Sequence, residues 1–300
     1  MIKDQRQAYI YALLAVLAWS TVASAFKIAL APGRMDPIQL LCYSNLTAVI
    51  VIGLVLVYQK KVTYIKRLTR RQILFSASLG ICNPFIFYMV IFKAYSLLPA
   101  QVVQPINFSW GLMLAFLSVP ILKQKLYKKD LIAGLIGYSG VVVVSLQGDI
   151  SQISFDSPLG LGLTFLSTII WALYWLYSTK NDTEPTCALF IGFSTSLPLV
   201  AITCYLISDL YVTDWKAIFA AAYVGIFEMG LTFVLWLKAM KLATNSAKIS
   251  NLIFIAPFIS LGLLWLIIGE KLYATTIIGL ILISVSLVIQ KKSVNDPSIQ

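Results

Sequence analysis

Ten runs of roughly twenty apolar residues follow one another along this chain, each about as long as the hydrocarbon core of a bilayer requires of a helix. They cover residues 8–30, 37–57, 72–93, 99–122, 131–147, 158–178, 185–207, 216–238, 244–268 and 274–290. Only 12% of the 300 residues are charged and the mean hydropathy is +0.87. A soluble domain carries roughly twice that share of charge. So much apolar surface cannot be hidden inside one core, so lipid must solvate it. The expected fold class is an all-α integral membrane protein with ten transmembrane helices. The first run is too long for the core of a signal peptide and lacks a small-residue cleavage pattern, so it is expected to stay as the first span.

The chain also repeats itself. Phe92-Lys93-Ala94-Tyr95-Ser96-Leu97 leads, through a long apolar run, to Lys125-Leu126-Tyr127. Leu237-Lys238-Ala239-Met240-Lys241-Leu242 leads in the same way to Lys271-Leu272-Tyr273. Asp36-Pro37 opens the second span and Glu184-Pro185 the seventh. An acidic residue ahead of a proline at the first helical position marks a helix start. The reading is two five-helix repeats, 1–147 and 148–300, forming one transporter unit. An odd number of spans makes the second half enter the membrane from the opposite side, so the halves are expected to be inverted repeats.

Basic residues set the orientation. With the amino terminus inside, 18 of the 23 lysines and arginines lie on or near the cytoplasmic side, as the positive-inside rule requires. Both termini are therefore expected to be cytoplasmic. The net charge of +11 belongs to these loops and calls for no nucleic acid. The chain has no histidine. That removes the commonest general base, metal ligand and proton relay. Cys42, Cys82, Cys187 and Cys204 all fall in apolar runs with no metal or disulfide spacing. No metal, cofactor or catalytic residue is expected, and an intramembrane enzyme would need a nucleophile and base that cannot be assembled here.

Glu228 is the deepest ionisable residue, 12 positions past Lys216 and 10 before Lys238. A charge at that depth costs about 2.5–3.5 kcal/mol on insertion scales, so it must be protonated, paired or wetted. Subtracting the repeat offset of 145 lands on Asn83, followed by Pro84. The halves thus place polar residues at equivalent midplane positions, with Pro84 loosening the helix beside one of them. The alternative is a protonated Glu228 that bonds a neighbouring helix as packing glue. Gln101, Gln104 and Asn107 share one helix face, as do Asn245, Lys248 and Asn251. Both faces suit a cavity wall, or equally a helix end that meets water and headgroups. Lys248 could attract a carboxylate or snorkel to the cytoplasmic surface. Trp19, Trp110, Trp171, Tyr88 and Tyr174 could form an aromatic wall for a planar or cationic ligand, or serve as packing.

These residues resemble the drug/metabolite transporter superfamily in its EamA branch. Ala18-Trp19-Ser20 with Phe26-Lys27, and Trp171-Ala172-Leu173-Tyr174 with Lys180, are similar to the opening helices of that family's two halves. Pro257 followed by Gly269-Glu270-Lys271-Leu272, and then Gly279, fits its second half. In the first half Gly111 and Lys123-Gln124 stand where Pro and Gly-Glu are expected. Asn107-Phe108-Ser109-Trp110, with Phe85, Phe87 and Tyr88, resembles the aromatic amino-acid exporters of the family. The resemblance implies a secondary transporter, an exporter, of a small organic metabolite such as an amino acid. It would work by alternating access around a midplane cavity, with spans five and ten peripheral. The expected location is a bacterial cytoplasmic (inner) membrane, as monomer or homodimer. Uptake or exchange of a nucleoside-derived metabolite or nucleotide sugar is a second reading, and it would want several cations in the cavity. A non-transporting membrane scaffold or receptor is a third, and it predicts polar residues that all pair within the bundle.

Overall fold

The computed structural model describes residues 3–98, 100–145, 157–268 and 274–294, and among these there is no β-strand. The helices are α1 (Gln5–Ala29), α2 (Pro37–Tyr58), α3 (Arg70–Leu97), α4 (Ala100–Phe108), α5 (Trp110–Leu122) and α6 (Lys128–Ser145). They continue with α7 (Pro158–Lys180), α8 (Pro185–Ile207), α9 (Trp215–Leu242), α10 (Ser246–Ser250), α11 (Ala256–Ile268) and α12 (Ala274–Val294). A one-turn helix, Val62–Ile65, lies between α2 and α3, and a 3-10 turn, Asn251–Ile255, joins α10 to α11. Six helices, α1, α2, α3, α7, α8 and α9, are long and apolar enough to cross a membrane. Shorter apolar helices cover Ile106–Leu122, Ser246–Ile255 and Ile277–Ser286. Two expected spans are interrupted: 99–122 breaks at Ser109, and 244–268 passes through α10 and the 3-10 turn.

Local chemistry explains the helix starts. Glu184 accepts a bond from Cys187 N at 3.0 Å, and Asp214 from Lys216 N at 2.7 Å. These side chains satisfy amide groups that a helix start leaves unpaired. Gln39 Oε1 accepts from Asp36 N at 2.8 Å, the reciprocal half of a capping box. Pro37 and Pro185 each follow the cap, where a missing N–H costs nothing.

The outer surface is apolar and the interior partly polar, the inverse of a water-soluble bundle. Leu54, Ile202 and Leu206 are exposed, whereas Ser44, Asn45, Ser196 and Thr164 are buried. Asn45 Nδ2 donates to Ser196 Oγ at 2.8 Å between α2 and α8. Such bonds, with small residues, hold helices together where lipid offers no hydrophobic drive.

The helix pairings recur when elements of one half are exchanged for those of the other. α1 packs on α9, and α7 on α3; α2 packs on α9, and α8 on α3; α1 packs on α11, and α7 on α5. α2 pairs with α8 and α6 with α12. The α2–α8 pair runs antiparallel. Asp36, ahead of α2, meets Ser208, past the end of α8, while Lys61, past α2, meets Glu184, ahead of α8. The α1–α9 pair is antiparallel too, with Asp4 near Leu242 and Thr21 near Tyr223.

α3 and α9 share one more feature. Each is interrupted in mid-course, α3 by a kink within Ile81–Ile86 and α9 by a wider π turn at Gly225–Gly230. π turns inside α-helices occur often at functional sites.

Candidate functional site

Glu228 lies inside the π turn of α9. A wider turn leaves carbonyls without their usual i+4 donors, and neighbouring groups take them up. The Thr232 hydroxyl donates to the Phe227 carbonyl, and Trp19 Nε1 donates to the Glu228 carbonyl at 3.1 Å. The Glu228 carboxylate accepts from the Tyr88 hydroxyl of α3 at 3.3 Å. Three helices from both halves therefore meet at this residue. Glu228 and Trp19 are half-buried, and Tyr88 is buried.

An aromatic cluster lies against this site. Trp19 stands 5.1 Å from Trp236 and 6.4 Å from Trp175, ring centre to ring centre. Phe87 is 4.4 Å from Trp171, and Trp175 is 4.8 Å from Phe233. Trp110 joins at 5.8 Å from Trp236, and Tyr174 at 5.0 Å from Trp175. Tilted and edge-on pairs at such distances are favourable beyond their area burial. Trp171 and Tyr174, read from sequence as a cavity wall, are buried in this packing. Trp175, Trp236 and Phe233 were missed. The signal was there: 171 and 175 are four apart, and 233 and 236 follow Glu228 on one helix.

Asn83 stands at the kink of α3, with an extended backbone at φ −149°, ψ 124° ahead of Pro84. It is fully buried, and neither its amide nitrogen nor its amide oxygen has a hydrogen-bond partner. Nearby, a cavity of about 10 Å³ is bounded by α3, α7, α8 and α9, with Ser76, Tyr174, Ser178 and Asn181 on its wall. That volume holds about one water.

Other expected residues go elsewhere. Half-buried Asn107 donates to Ser167 Oγ at 3.0 Å, tying α4 to α7. Asn251 does not join Glu228: its Nδ2 donates to the Asp130 carbonyl at 3.1 Å. Asn245 Nδ2 donates to Asp130 Oδ2 at 2.8 Å. Asp130, buried at the start of α6, organises this second polar cluster and went unread because it stands at the edge of an apolar run. Lys248 is 8% exposed, so it is buried rather than snorkelling. Its helix α10 is tucked under α5 and α6 instead of ending at a free surface. The side chains of Gln101 and Gln104 lie outside the described part, as do Gly269, Glu270, Lys271 and Leu272.

The end of the bundle that carries the amino terminus is densely tied. Lys61 Nζ lies 2.7 Å from Glu184 Oε1, and Lys241 donates to the Asn181 and Thr183 carbonyls. Lys3 reaches the Lys241 and Ala243 carbonyls at 3.1 and 2.9 Å. Burial alone would raise the pKa of Glu184, but bonds from Lys61 and Cys187 N hold it below the usual carboxylate value. The opposite end is joined by Arg34 to Asp214 at 3.2 Å and Ser208 to Asp36 at 2.7 Å.

The model of the EamA-like transporter family matches residues 6–146 and again 158–290. The chain belongs to the EamA-like transporter family. It is a multi-pass membrane protein, and family and relatives alike point to a membrane transporter rather than an enzyme. An uncharacterized transporter of Clostridium kluyveri is 23% identical over 97% of this chain and 96% of its own length. One of Acidianus ambivalens is 27% identical over 63% of this chain and 74% of its own. Protein PecM of Dickeya dadantii is 27% identical over 70% of this chain and 71% of its own. A solved crystal structure, 21% identical, superposes with a TM-score of 0.80 over 95% of this chain and 96% of that one, a likeness of fold.

Proposed function

We propose that this protein is a secondary transporter that moves a small organic metabolite by alternating access around the level of Glu228. The observation that carries the reading is a half-buried carboxylate in an interrupted membrane helix, which accepts from the Tyr88 hydroxyl while Trp19 donates to the same residue's main-chain carbonyl. An intramembrane carboxylate is costly and is functional by default. When water reaches Glu228 it can ionise; when the bundle closes on it the neutral acid is favoured. Proton occupancy is thereby coupled to conformation.

Two inverted five-helix halves, 1–147 and 148–300, supply the moving parts. The antiparallel α2–α8 and α1–α9 pairs, the exchanged packing partners and the double family match all support that arrangement. Ten transmembrane helices result if the interrupted stretches at α4–α5 and α10–α11 each complete one crossing. A bacterial cytoplasmic membrane with both termini inside is supported by the basic-residue count and the bacterial relatives, and export by the family resemblance alone. An amino acid is the leading kind of cargo, and the likeness to aromatic amino-acid exporters puts aromatic ones first.

The test is flux in proteoliposomes under an imposed pH gradient. Wild type is expected to respond to the gradient, and Glu228→Gln to fold yet respond no longer. Unchanged gradient dependence in Glu228→Gln would show that the carboxylate is packing glue.

A further inference from the structure

We propose that Lys241 is a latch: its ammonium ties the end of α9 to the end of α7, keeps the amino-terminal end of the bundle shut, and lets go whenever Glu228 is reached from that end. The proposal rests on the transport reading above and names the device that regulates access to its site.

The helices pack in two groups. α1, α2, α9 and α11 form one, and α3, α4, α5, α7 and α8 form the other. Each group draws helices from both halves of the chain. They meet along α2–α8, α7–α9 and α5–α10. Exposing a site to one side and then the other parts such groups at one end at a time. A bond across the seam at one end therefore opposes opening there.

Lys241 makes such a bond. It stands in the last turn of α9 and donates to the carbonyls of Asn181 and Thr183. Asn181 is the residue that ends α7. Carbonyls at a helix end lack intrahelical donors and carry partial negative charge, so they attract a cation. The carboxylates of Asp182 and Glu184 stand near the same ammonium. The segment leading into α1 fixes the loop from which Lys241 reaches out. Lys3 donates to the Lys241 and Ala243 carbonyls, Asp4 N donates to the Leu242 carbonyl at 2.9 Å, and Gln5 Oε1 accepts from Thr244 N at 2.8 Å. These bonds stay within the first group and leave the Lys241 ammonium facing the second.

The seam behind the latch is closed. From Glu228 to Lys241, α9 runs for about 20 Å at 1.5 Å per residue. Along that length Trp175 of α7 lies 4.8 Å from Phe233 and 6.4 Å from Trp236, and both tryptophans are fully buried. The cavity of about 10 Å³ is walled by Asn181 and by Leu237, one turn before Lys241. A metabolite does not pass through space for one water. Towards the other end, Thr21, Tyr223 and Phe227 keep partial exposure.

The opposite end has no equal of this latch at the matching position. Subtracting the repeat offset of 145 from Lys241 gives Ser96, near the end of α3. The Ser96 hydroxyl donates to the Lys93 carbonyl of its own helix, at 2.8 Å. A tie present at one end and missing from its counterpart biases the equilibrium towards the state closed at the amino-terminal end.

Hydrogen exchange read by mass spectrometry on the full chain in detergent tests this, because exchange reports opening segment by segment. Lys241→Met keeps the side-chain stem and drops the ammonium. It is expected to speed exchange about tenfold or more at 181–189 and 237–246, the loss of a charge-assisted tie. It should also slow exchange at 209–214, since moving the population to the other state closes the far end as the near end opens. Lys241→Arg should restore the native pattern, and Lys3→Met should shift both ends in the same directions by less. Faster exchange confined to the amino-terminal end would make Lys241 a plain cap of α7 and overturn the proposal. So would no change at either end, or an arginine that behaves as methionine. If Lys241→Met does not fold, Lys3→Met decides by the same criterion of both ends. Gradient-driven flux of the native chain in proteoliposomes, with no two-ended shift in the variants, would sink the latch and leave the transport reading standing. A two-ended shift in a chain that carries no flux would do the reverse.

Discussion

The break of α3 and the π turn of α9 stand at matching places in the two helices and differ both in backbone form, a kink at extended Asn83 against a widened helical turn, and in chemistry. The first follows Gly80 and the second opens on Gly225, each glycine pressed against a neighbouring helix. A Cβ on Gly80 would come within 2.0 Å of the Gly192 carbonyl oxygen, and one on Gly225 within 2.5 Å of the Ser44 carbonyl oxygen. The matching neighbours belong to α8 and α2, which are themselves counterparts. Close approach of helices therefore constrains both breaks alike. The side chains inside them differ. Asn83 is sealed and has no partner, whereas Glu228 is half-buried, bonded by Tyr88 and flanked by Trp19. The cavity walled by Gly80, just ahead of the first break, measures about 10 Å³. Beside the second, Thr21, Tyr223 and Phe227 keep partial exposure. The comparison teaches that matching breaks in two helices can leave one polar side chain buried and the other half-buried.

The largest expected effect tests the shared scaffold. Gly80→Val should destabilise by about 3 kcal/mol or more, since overpacking a tight contact usually costs about 1–3 and here the obstacle is backbone. Gly225→Val should behave alike. Thermal unfolding in detergent reads both, and a tolerated valine at either site would break the equivalence of the two breaks.

Glu228→Gln should lower gradient-driven flux by about tenfold or more, an effect in the range of about 1.4 kcal/mol on the rate-limiting step. Asn83→Asp in the same chain then asks whether a carboxylate in the other break can substitute. Partial recovery of the pH response would sharpen the pairing of the two sites. A dead double variant that still folds would confine the switch to α9.

At the bundle ends, Glu184→Ala removes a helix cap and the Lys61 bridge together, and should cost about 1–2 kcal/mol. Its counterpart Asp36→Ala loses the Ser208 bond and should cost less, about 0.5–1 kcal/mol. The pH dependence has a definite sign. The folded-state pKa of Glu184 is lowered from 4.5, so its stabilisation is present above that value and disappears as pH falls through the folded pKa. Unfolding midpoints of wild type and Glu184→Ala should converge as pH drops below that range. Midpoints that stay apart would remove the ionised bridge as the cause.

Asn83→Leu should have the smallest effect on stability, and of opposite sign. An unpartnered buried amide costs about 1–3 kcal/mol, so an apolar side chain of similar size should be neutral or stabilise by about 1 kcal/mol. Transport should nevertheless slow. A variant that is both stable and fully active would show that Asn83 has no part in the cycle.

Much of this architecture was legible without coordinates. Run length marked the apolar helices, Asp36-Pro37 and Glu184-Pro185 marked two starts, and the repeat offset linked Glu228 to Asn83. Each of these is local, or a comparison of the chain with itself. Hydropathy also exposed Glu228, because one carboxylate stands out in apolar surroundings. It did not expose Asp130, whose flanking lysines make it look like loop. For Lys248 the snorkelling alternative fails for a related reason: a short helix near a span's end reads as surface, yet α10 is covered.

Sequence by itself determined that this chain enters lipid, that it does so in two related halves, and that a carboxylate lies deep within the second. Apolar length and self-similarity carry that information residue by residue. Tertiary structure alone decided which side chains face Glu228. Tyr88 lies 140 positions away and Trp19 lies 209. Contacts across such separations depend on how far each helix is rotated about its own axis. In a bundle with lipid outside and apolar groups inside, hydropathy barely distinguishes the two faces, so packing of small residues such as Gly80 and Gly225 sets the rotation instead.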